Sequence, residues 1–277
     1  MVVEEGQVLP GLALPFAGEC RWLISLDYDE TLRSHDPAQP VPQEFYELMQ
    51  EWRPLGIRWG INTGRTLPYL CLELLPSAPF LPDFICTCER YVYLAGEDGV
   101  LSPLREHNAC CYAHNMEVRR RVRPLLHGQL ARLREERPAL QWIIAAEDPL
   151  SVEAVDSSTM DEIMAFLGPF ITTLSGVTAQ RAGRYMRLAD SRYCKGTALQ
   201  TVALQWQVPE HHWALLGDGH NDLHAFRLFP AAFCGAPSTA HPEVLDWLRT
   251  HGGYISPSPG VMDILSTWHA SVASVST

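Results

Sequence analysis

The run Leu23-Ile24-Ser25-Leu26-Asp27-Tyr28-Asp29-Glu30-Thr31 constrains this chain more than any other segment. Its mostly apolar start reads as a buried strand of the kind that parallel sheets contain. The strand delivers two carboxylates, one residue apart, and then a hydroxyl. Open α/β sheets bind ligands beyond the C-terminal ends of their strands. The first acid of such a pair can attack as a nucleophile, and the second can act as general acid and base. By chance a D-x-D-x-T pattern arises about once in 10⁴ positions, so it acquires meaning only with partners.

Three partners follow. In Gly60-Ile61-Asn62-Thr63-Gly64-Arg65, a Thr at a strand end precedes a Gly, offering a hydroxyl and a backbone N–H to a phosphoryl oxygen. Cys194-Lys195-Gly196-Thr197-Ala198-Leu199 places a cation at the start of a helix, a compact charge for a phosphate or for a crowd of carboxylates. Leu215-Leu216-Gly217-Asp218-Gly219-His220-Asn221-Asp222 is another apolar strand ending in acids. Asp218 and Asp222 with Asp27 and Asp29 make an oxygen-rich, strongly negative site that suits Mg²⁺.

These four motifs, in this order, resemble the haloacid dehalogenase superfamily, and specifically its phosphatases. The resemblance implies that Asp27 is a nucleophile that becomes an aspartyl-phosphate. It makes Asp29 the acid/base, with its backbone carbonyl on Mg²⁺. It assigns Thr63 and Lys195 to the transferring phosphoryl group, with Gly64 and Arg65 beside it, and Asp218 and Asp222 to the metal. Asp29 argues against the dehalogenase and P-type ATPase branches, which lack the second acid. The family usually has Gly where Glu30 stands, so the flap after the nucleophile is expected to differ.

Composition agrees with a globular enzyme. Hydrophobic residues make up 47% and charged residues 19% of the 277 positions. A net charge of -11 gives no basic field for nucleic acid. Arg119, Arg120, Arg121 and Arg123 lie in a helical pattern and read as a solvated face. The acidic start Met1-Val2-Val3-Glu4-Glu5, broken by Pro10 and Pro15, is unlike a signal peptide, and no apolar run reaches membrane length. The eight cysteines form no C-x-x-C pair, and Cys71, Cys86 and Cys234 read as reduced core thiols. Cys86/Cys88 and Cys110/Cys111 have the wrong spacing for zinc. The expected location is the cytoplasm.

Strands alternate with helices: strand 21–27, helix 43–52, strand 57–62, helix 66–74 and strand 83–87, then a helix from Lys195 to 206, strand 213–217, a helix from 221, strand 231–235, and helices 241–250 and 261–269. That order predicts an α/β fold with a doubly wound parallel sheet. The stretch between Thr63 and Lys195 is far too long for one crossover. The expected division is a catalytic core of 1–88 and 187–277 with an inserted α+β domain of 89–186. The insert has a helix over 114–136 with apolar positions Met116, Val118, Val122, Leu125, Leu126, Leu130 and Leu133. Strands 140–144 and 151–155, helix 158–167 and a strand region 177–189 follow. This layout resembles the large cap of the Cof-like and sucrose-phosphatase-like branch, which implies that the insert shapes substrate choice. Arg184, Tyr185 and Arg187 on the closing strand are candidates for substrate contact, with Glu153 across the sheet. Relatives of that branch usually have an acid at the Arg187 position; a guanidinium there prefers a carboxylate or second phosphate to sugar hydroxyls. Solvated arginines on a strand face are the competing reading.

The expected activity is therefore a Mg²⁺-dependent phosphomonoester hydrolase acting on a small phosphorylated metabolite, most simply a sugar phosphate. A sugar phosphomutase of the same superfamily and a non-catalytic ligand-binding protein are the alternatives. No nucleic acid or membrane partner is expected.

Overall fold

Residues Trp22–Leu26 form strand β1 at the middle of an eight-stranded sheet, with almost every side chain buried. The computed structural model describes residues 18–33, 36, 38–74, 76–96, 100–145 and 148–273. The expectation about the N-terminal Met1–Glu5 segment, and part of that about the loop up to Pro42, lie outside them. The further strands are β2 (Ile57–Asn62), β3 (Phe84–Thr87), β4 (Tyr91–Ala95), β5 (Leu101–Pro103), β6 (Trp142–Ile144), β7 (Ser151–Ala154), β8 (Val177–Ala182), β9 (Tyr185–Asp190), β10 (Trp213–Leu216), β11 (Phe233–Ala236) and β12 (Tyr254–Ile255). The α-helices are α1 (Gln43–Trp52), α2 (Leu67–Leu74), α3 (Arg105–Glu136), α4 (Ser157–Ile171), α5 (Lys195–Trp206), α6 (His220–Leu228), α7 (Pro242–His251) and α8 (Met262–Ala273). None is long and apolar enough to cross a membrane among the described residues.

The large sheet runs β12-β11-β10-β1-β2-β3-β4-β5. From β12 to β3 every pairing is parallel, as the strand–helix alternation predicts. Helices cover both faces. Ile24 and Leu26 of β1 join a cluster with Phe45, Met49 and Trp52 of α1, Leu70 of α2 and Trp268 of α8. Leu23 points the other way, into a cluster with Leu199 and Val202 of α5, Phe226 of α6 and Leu248 of α7. This period-two partition of one strand between two apolar layers defines a doubly wound sheet.

Strands β4 and β5 fall within the stretch expected in the insert, yet they extend the large sheet as antiparallel neighbours of β3. The chain reverses straight after Thr87, and an antiparallel neighbour needs only a tight turn, not a crossover helix. The chain divides into two compact units, Ala109–Cys194 and the segments up to Asn108 and from Lys195. Within the first, the sheet β6-β7-β9-β8 is antiparallel. Val118, Val122, Leu126, Leu130 and Leu133 of α3 form one stripe at steps of three and four and pack with Val152, Met160, Ile163 and Leu188. Met116 and Leu125 lie off that stripe and are 40% and 48% exposed. All eight cysteines are free thiols.

Candidate active site

The pairs Leu26↔Ile61 and Leu26↔Leu216 bring the ends of β1, β2 and β10 level with one another. Asp27, Thr63 and Asp218 therefore emerge side by side. They do so where the strand order turns outward from β1 in both directions, the place where such sheets form a crevice. Lys195, the first residue of α5, is 1% exposed. Its Nζ lies 2.5 Å from Asp27 Oδ1 and 2.7 Å from Asp222 Oδ1. A cation at a helix N-terminus opposes the helix dipole, and here two carboxylates overrule that penalty. Burial would lower the Lys195 pKa, but Asp222 and Asp27 outweigh it and hold the ammonium above its ordinary value. Asn62 Nδ2 donates to the Lys195 carbonyl at 2.9 Å, tying the end of β2 to the same helix start.

Asp222 is folded back onto its own loop, where the Gly219 N–H donates to Oδ2 at 3.0 Å. A Cβ on Gly217 would overlap that carboxylate, so the loop needs glycine there. Asp218 Oδ1 accepts from the Thr31 hydroxyl at 2.9 Å. Carboxylate oxygens of Asp27, Asp218 and Asp222 lie within 4.8 Å of one another. Burial, then Asp222, push Asp218 up to about 6, against Thr31 and Lys195. Burial also pushes Asp27 well up; Lys195 opposes it, and the other two acids add to it. Three carboxylates against one ammonium leave about two negative charges for a cation to offset. A set of oxygen donors alone fits a hard divalent ion such as Mg²⁺.

After Asp27 the chain makes one wide turn over Tyr28–Leu32, in which Glu30 has φ +58°. This left-handed angle costs a residue with a side chain roughly 1–2 kcal/mol, which is why glycine is the common choice at such a position. The side chain of Asp29 does not join the three clustered acids. It receives a bidentate pair from Arg65, at 2.7 Å from Nε and 3.0 Å from Nη2. Thr63 is buried, and its Oγ1 accepts from the Arg65 N–H at 3.1 Å, while Gly64 is exposed.

No protein-family model and no curated protein matches this sequence. Solved structures do match its fold. The sucrose-phosphatase of Synechocystis sp., in complex with sucrose and phosphate, aligns with a TM-score of 0.65 at 19% identity, covering 90% of this chain and 97% of that one. A haloacid dehalogenase-like hydrolase from Bacillus subtilis aligns at 0.59 and 12% identity, covering 93% and 95%. One from Bacteroides thetaiotaomicron aligns at 0.52 and 17%, covering 85% and 94%. The fold is haloacid dehalogenase-like.

Within that fold the remaining expected residues have partners of their own. Arg184 and Arg187 belong to the unit Ala109–Cys194. Arg184 pairs with Glu153 at 2.9 Å, and buried Arg187 donates to Gln180 Oε1 from Nε at 3.1 Å and Nη2 at 2.8 Å. Two groups escape a reading by motifs. Glu89 lies two residues past the end of β3, the kind of place where α/β sheets carry functional side chains, and only that position could have marked it. Glu73 carries no sequence signal. Its carboxylate accepts from Tyr69 at 2.7 Å, Tyr28 at 2.8 Å and Arg33 at 3.2 Å. The Arg65 guanidinium lies 4.3 Å over the Tyr69 ring. The network thus supports the flap and the residue that grips Asp29.

Burial acts to raise Glu73, but Tyr69, Tyr28 and Arg33 outweigh it and hold the acid below its usual 4.5. An acid depressed on folding contributes stability above its unfolded pKa and loses it as pH falls through the folded one. Glu73→Gln is therefore expected to melt below the parent at pH 7. The gap should close progressively below about pH 4.5, read from paired melting curves. A gap that is constant down to pH 3 would contradict the ionised-acceptor role.

Proposed function

We propose that this chain is a Mg²⁺-dependent phosphomonoester hydrolase of a small phosphorylated metabolite, most simply a sugar phosphate, working through an aspartyl-phosphate on Asp27. The observation that carries this reading is the buried contact of Lys195 with Asp27 and Asp222, with Asp218 beside them, at the C-terminal ends of β1 and β10. The sugar phosphate class is supported by the likeness to a sucrose-phosphatase that holds sucrose and phosphate.

The Thr63 hydroxyl and Gly64 N–H receive the phosphoryl oxygens. An Asp27 oxygen attacks phosphorus, and the bond to the ester oxygen breaks as Asp29 gives that oxygen a proton. Water then attacks phosphorus, Asp29 takes its proton, and the bond to Asp27 breaks, restoring both acids. Arg65 directs the Asp29 carboxylate for its role as base in the second step; to act as the acid of the first, Asp29 carries a proton and leaves that pair. Lys195 holds Asp27 in place and offsets charge that develops on the phosphoryl group, ordinarily the largest contribution to such a reaction. The carboxylates of Asp27, Asp218 and Asp222 and the Asp29 carbonyl would hold Mg²⁺, which supplies charge stabilisation when bound. Eight free thiols fit a reducing compartment, and we place the protein in the cytoplasm.

A panel of phosphorylated metabolites, assayed for phosphate release with Mg²⁺, tests this reading. Release is expected for at least one sugar phosphate, with a loss of about 10²-fold or more after exhaustive chelation. Undiminished release after chelation would refute the metal assignment. Binding without release across the panel would favour a ligand-binding protein, and transfer to a second hydroxyl would favour a mutase.

A further inference from the structure

Straight after β3 the chain reverses through Cys88 and Glu89, at φ +50° and +63°. Both angles are left-handed, a conformation that strains any residue with a Cβ and that glycine adopts freely. The turn grips the loop at the end of β2 on either side of Gly64: the Cys88 N–H donates to the Arg65 carbonyl and the Glu89 N–H to the Thr63 carbonyl, both at 2.9 Å. Glycine at position 89 would make the same backbone bond without strain. The backbone therefore gives no reason for a glutamate.

The side chain does. Glu89 is 4% exposed, and its Oε1 accepts from Asn221 Nδ2 at 2.9 Å. A Cβ placed on Gly64 would stand 3.4 Å from that same oxygen. The carboxylate thus lies between the phosphoryl-contact loop and the segment 217–222, which carries Asp218 and runs into the first turn of α6 with Asn221 and Asp222. We propose that Glu89 is a positioning residue of the active site: the strained turn persists because it delivers a buried carboxylate that ties Asn221, and with it the acid segment 217–222, to the loop 63–65. The catalytic consequence rests on the phosphatase reading, whereas the tie itself does not.

Strain retained for function predicts opposite signs for stability and activity. In the full-length chain, Glu89→Gly is expected to raise Tm by about 2–4 °C as the left-handed strain is relieved. In the same variant, amide exchange across 217–222 should quicken about tenfold or more, because the tie to Asn221 is gone. With a phosphate ester substrate, kcat should fall about 10- to 100-fold with KM little changed. Glu89→Gln keeps an acceptor oxygen for Asn221 and should retain exchange and kcat close to the parent values. Asn221→Ala should loosen the loop as Glu89→Gly does, and combining the two should add little. The proposal is overturned if Glu89→Gly melts lower than the parent, or melts higher with unchanged exchange and kcat. A parent chain without phosphatase activity would sink the functional reading, while melting and exchange would still decide the tie.

Discussion

Asp27→Asn is expected to abolish turnover, by about 10⁴-fold or more, and to leave no phosphorylated enzyme. Asp29→Asn should behave differently although it removes the same functional group two residues away. The nucleophile survives, but the proton donor of the first step and the base of the second are gone. General acid–base assistance is typically worth ~10²–10⁴-fold and enters both half-reactions here. With nitrophenyl phosphate the leaving group needs little protonation, so attack by Asp27 continues while hydrolysis of the intermediate stalls. The aspartyl-phosphate should then accumulate in Asp29→Asn and be trapped by reduction or seen by mass spectrometry. Label on a residue other than Asp27, or near-normal turnover in Asp27→Asn, would overturn the covalent route. Arg65→Ala gives a further check, because Arg65 is the bidentate partner of the Asp29 carboxylate. Its loss should slow hydrolysis of the aspartyl-phosphate, the half-reaction in which Asp29 acts as a carboxylate base, without changing which residue is labelled.

The large sheet was legible because its information is local. Each of β1, β2 and β10 is a short, buried strand followed within two residues by its candidate site residue, so strand, strand end and candidate chemistry are read together. The parallel arrangement followed from the intervening helices. The hairpin β4–β5 was not legible, because Tyr91–Ala95 is a strand-like run whose sheet is chosen by the turn before it. That turn uses Cys88 and Glu89 in a conformation that their side chains disfavour, so no turn residue announced it. Glu30 conceals the flap turn in the same way: with φ +58° it occupies a conformation that glycine usually marks.

The candidate site divides along the same line. Asp27, Thr63, Lys195, Asp218 and Asp222 lie in local motifs that order and spacing single out. The contact of Lys195 with Asp27 crosses 168 positions of sequence, and that with Asp222 crosses 27. The direction of Asp29 was not readable, because it depends on Arg65, whose position depends in turn on Tyr69 and Glu73. Such networks are built from long polar side chains with no characteristic period. They become visible only once the fold has brought their donors and acceptors together.

Lys195→Met should be the most destabilising of the site substitutions. Methionine matches the length of lysine and fills its buried space, so the change removes charge and little volume. Asp27 and Asp222 would then face each other, with Asp218 nearby, without a counter-charge. Taking one partner from a buried ion pair costs about 3–5 kcal/mol, because the remaining charge is left desolvated and uncompensated. At roughly 2–4 °C per kcal/mol for a domain of this size, Tm should fall by about 6–20 °C in the metal-free chain. Two further signs distinguish lost charge from lost packing. Asp27 is already raised on folding above its usual 3.8, and without Lys195 it must rise further. An acid raised on folding binds its proton more tightly in the native chain, so stability increases as pH falls through the folded pKa towards the unfolded one. The deficit of Lys195→Met should therefore shrink as pH falls from 7.5, whereas a packing defect would persist. Mg²⁺ should also raise Tm more in the variant than in the parent, since the variant has a larger uncompensated charge to offset. Turnover should nonetheless stay about 10²–10³-fold down with Mg²⁺ present, because the ammonium that faced Asp27 is still missing. A variant with parental Tm at pH 7.5 in chelator would mean that the three acids are not held together by Lys195, and the charge argument for the site would fail with it.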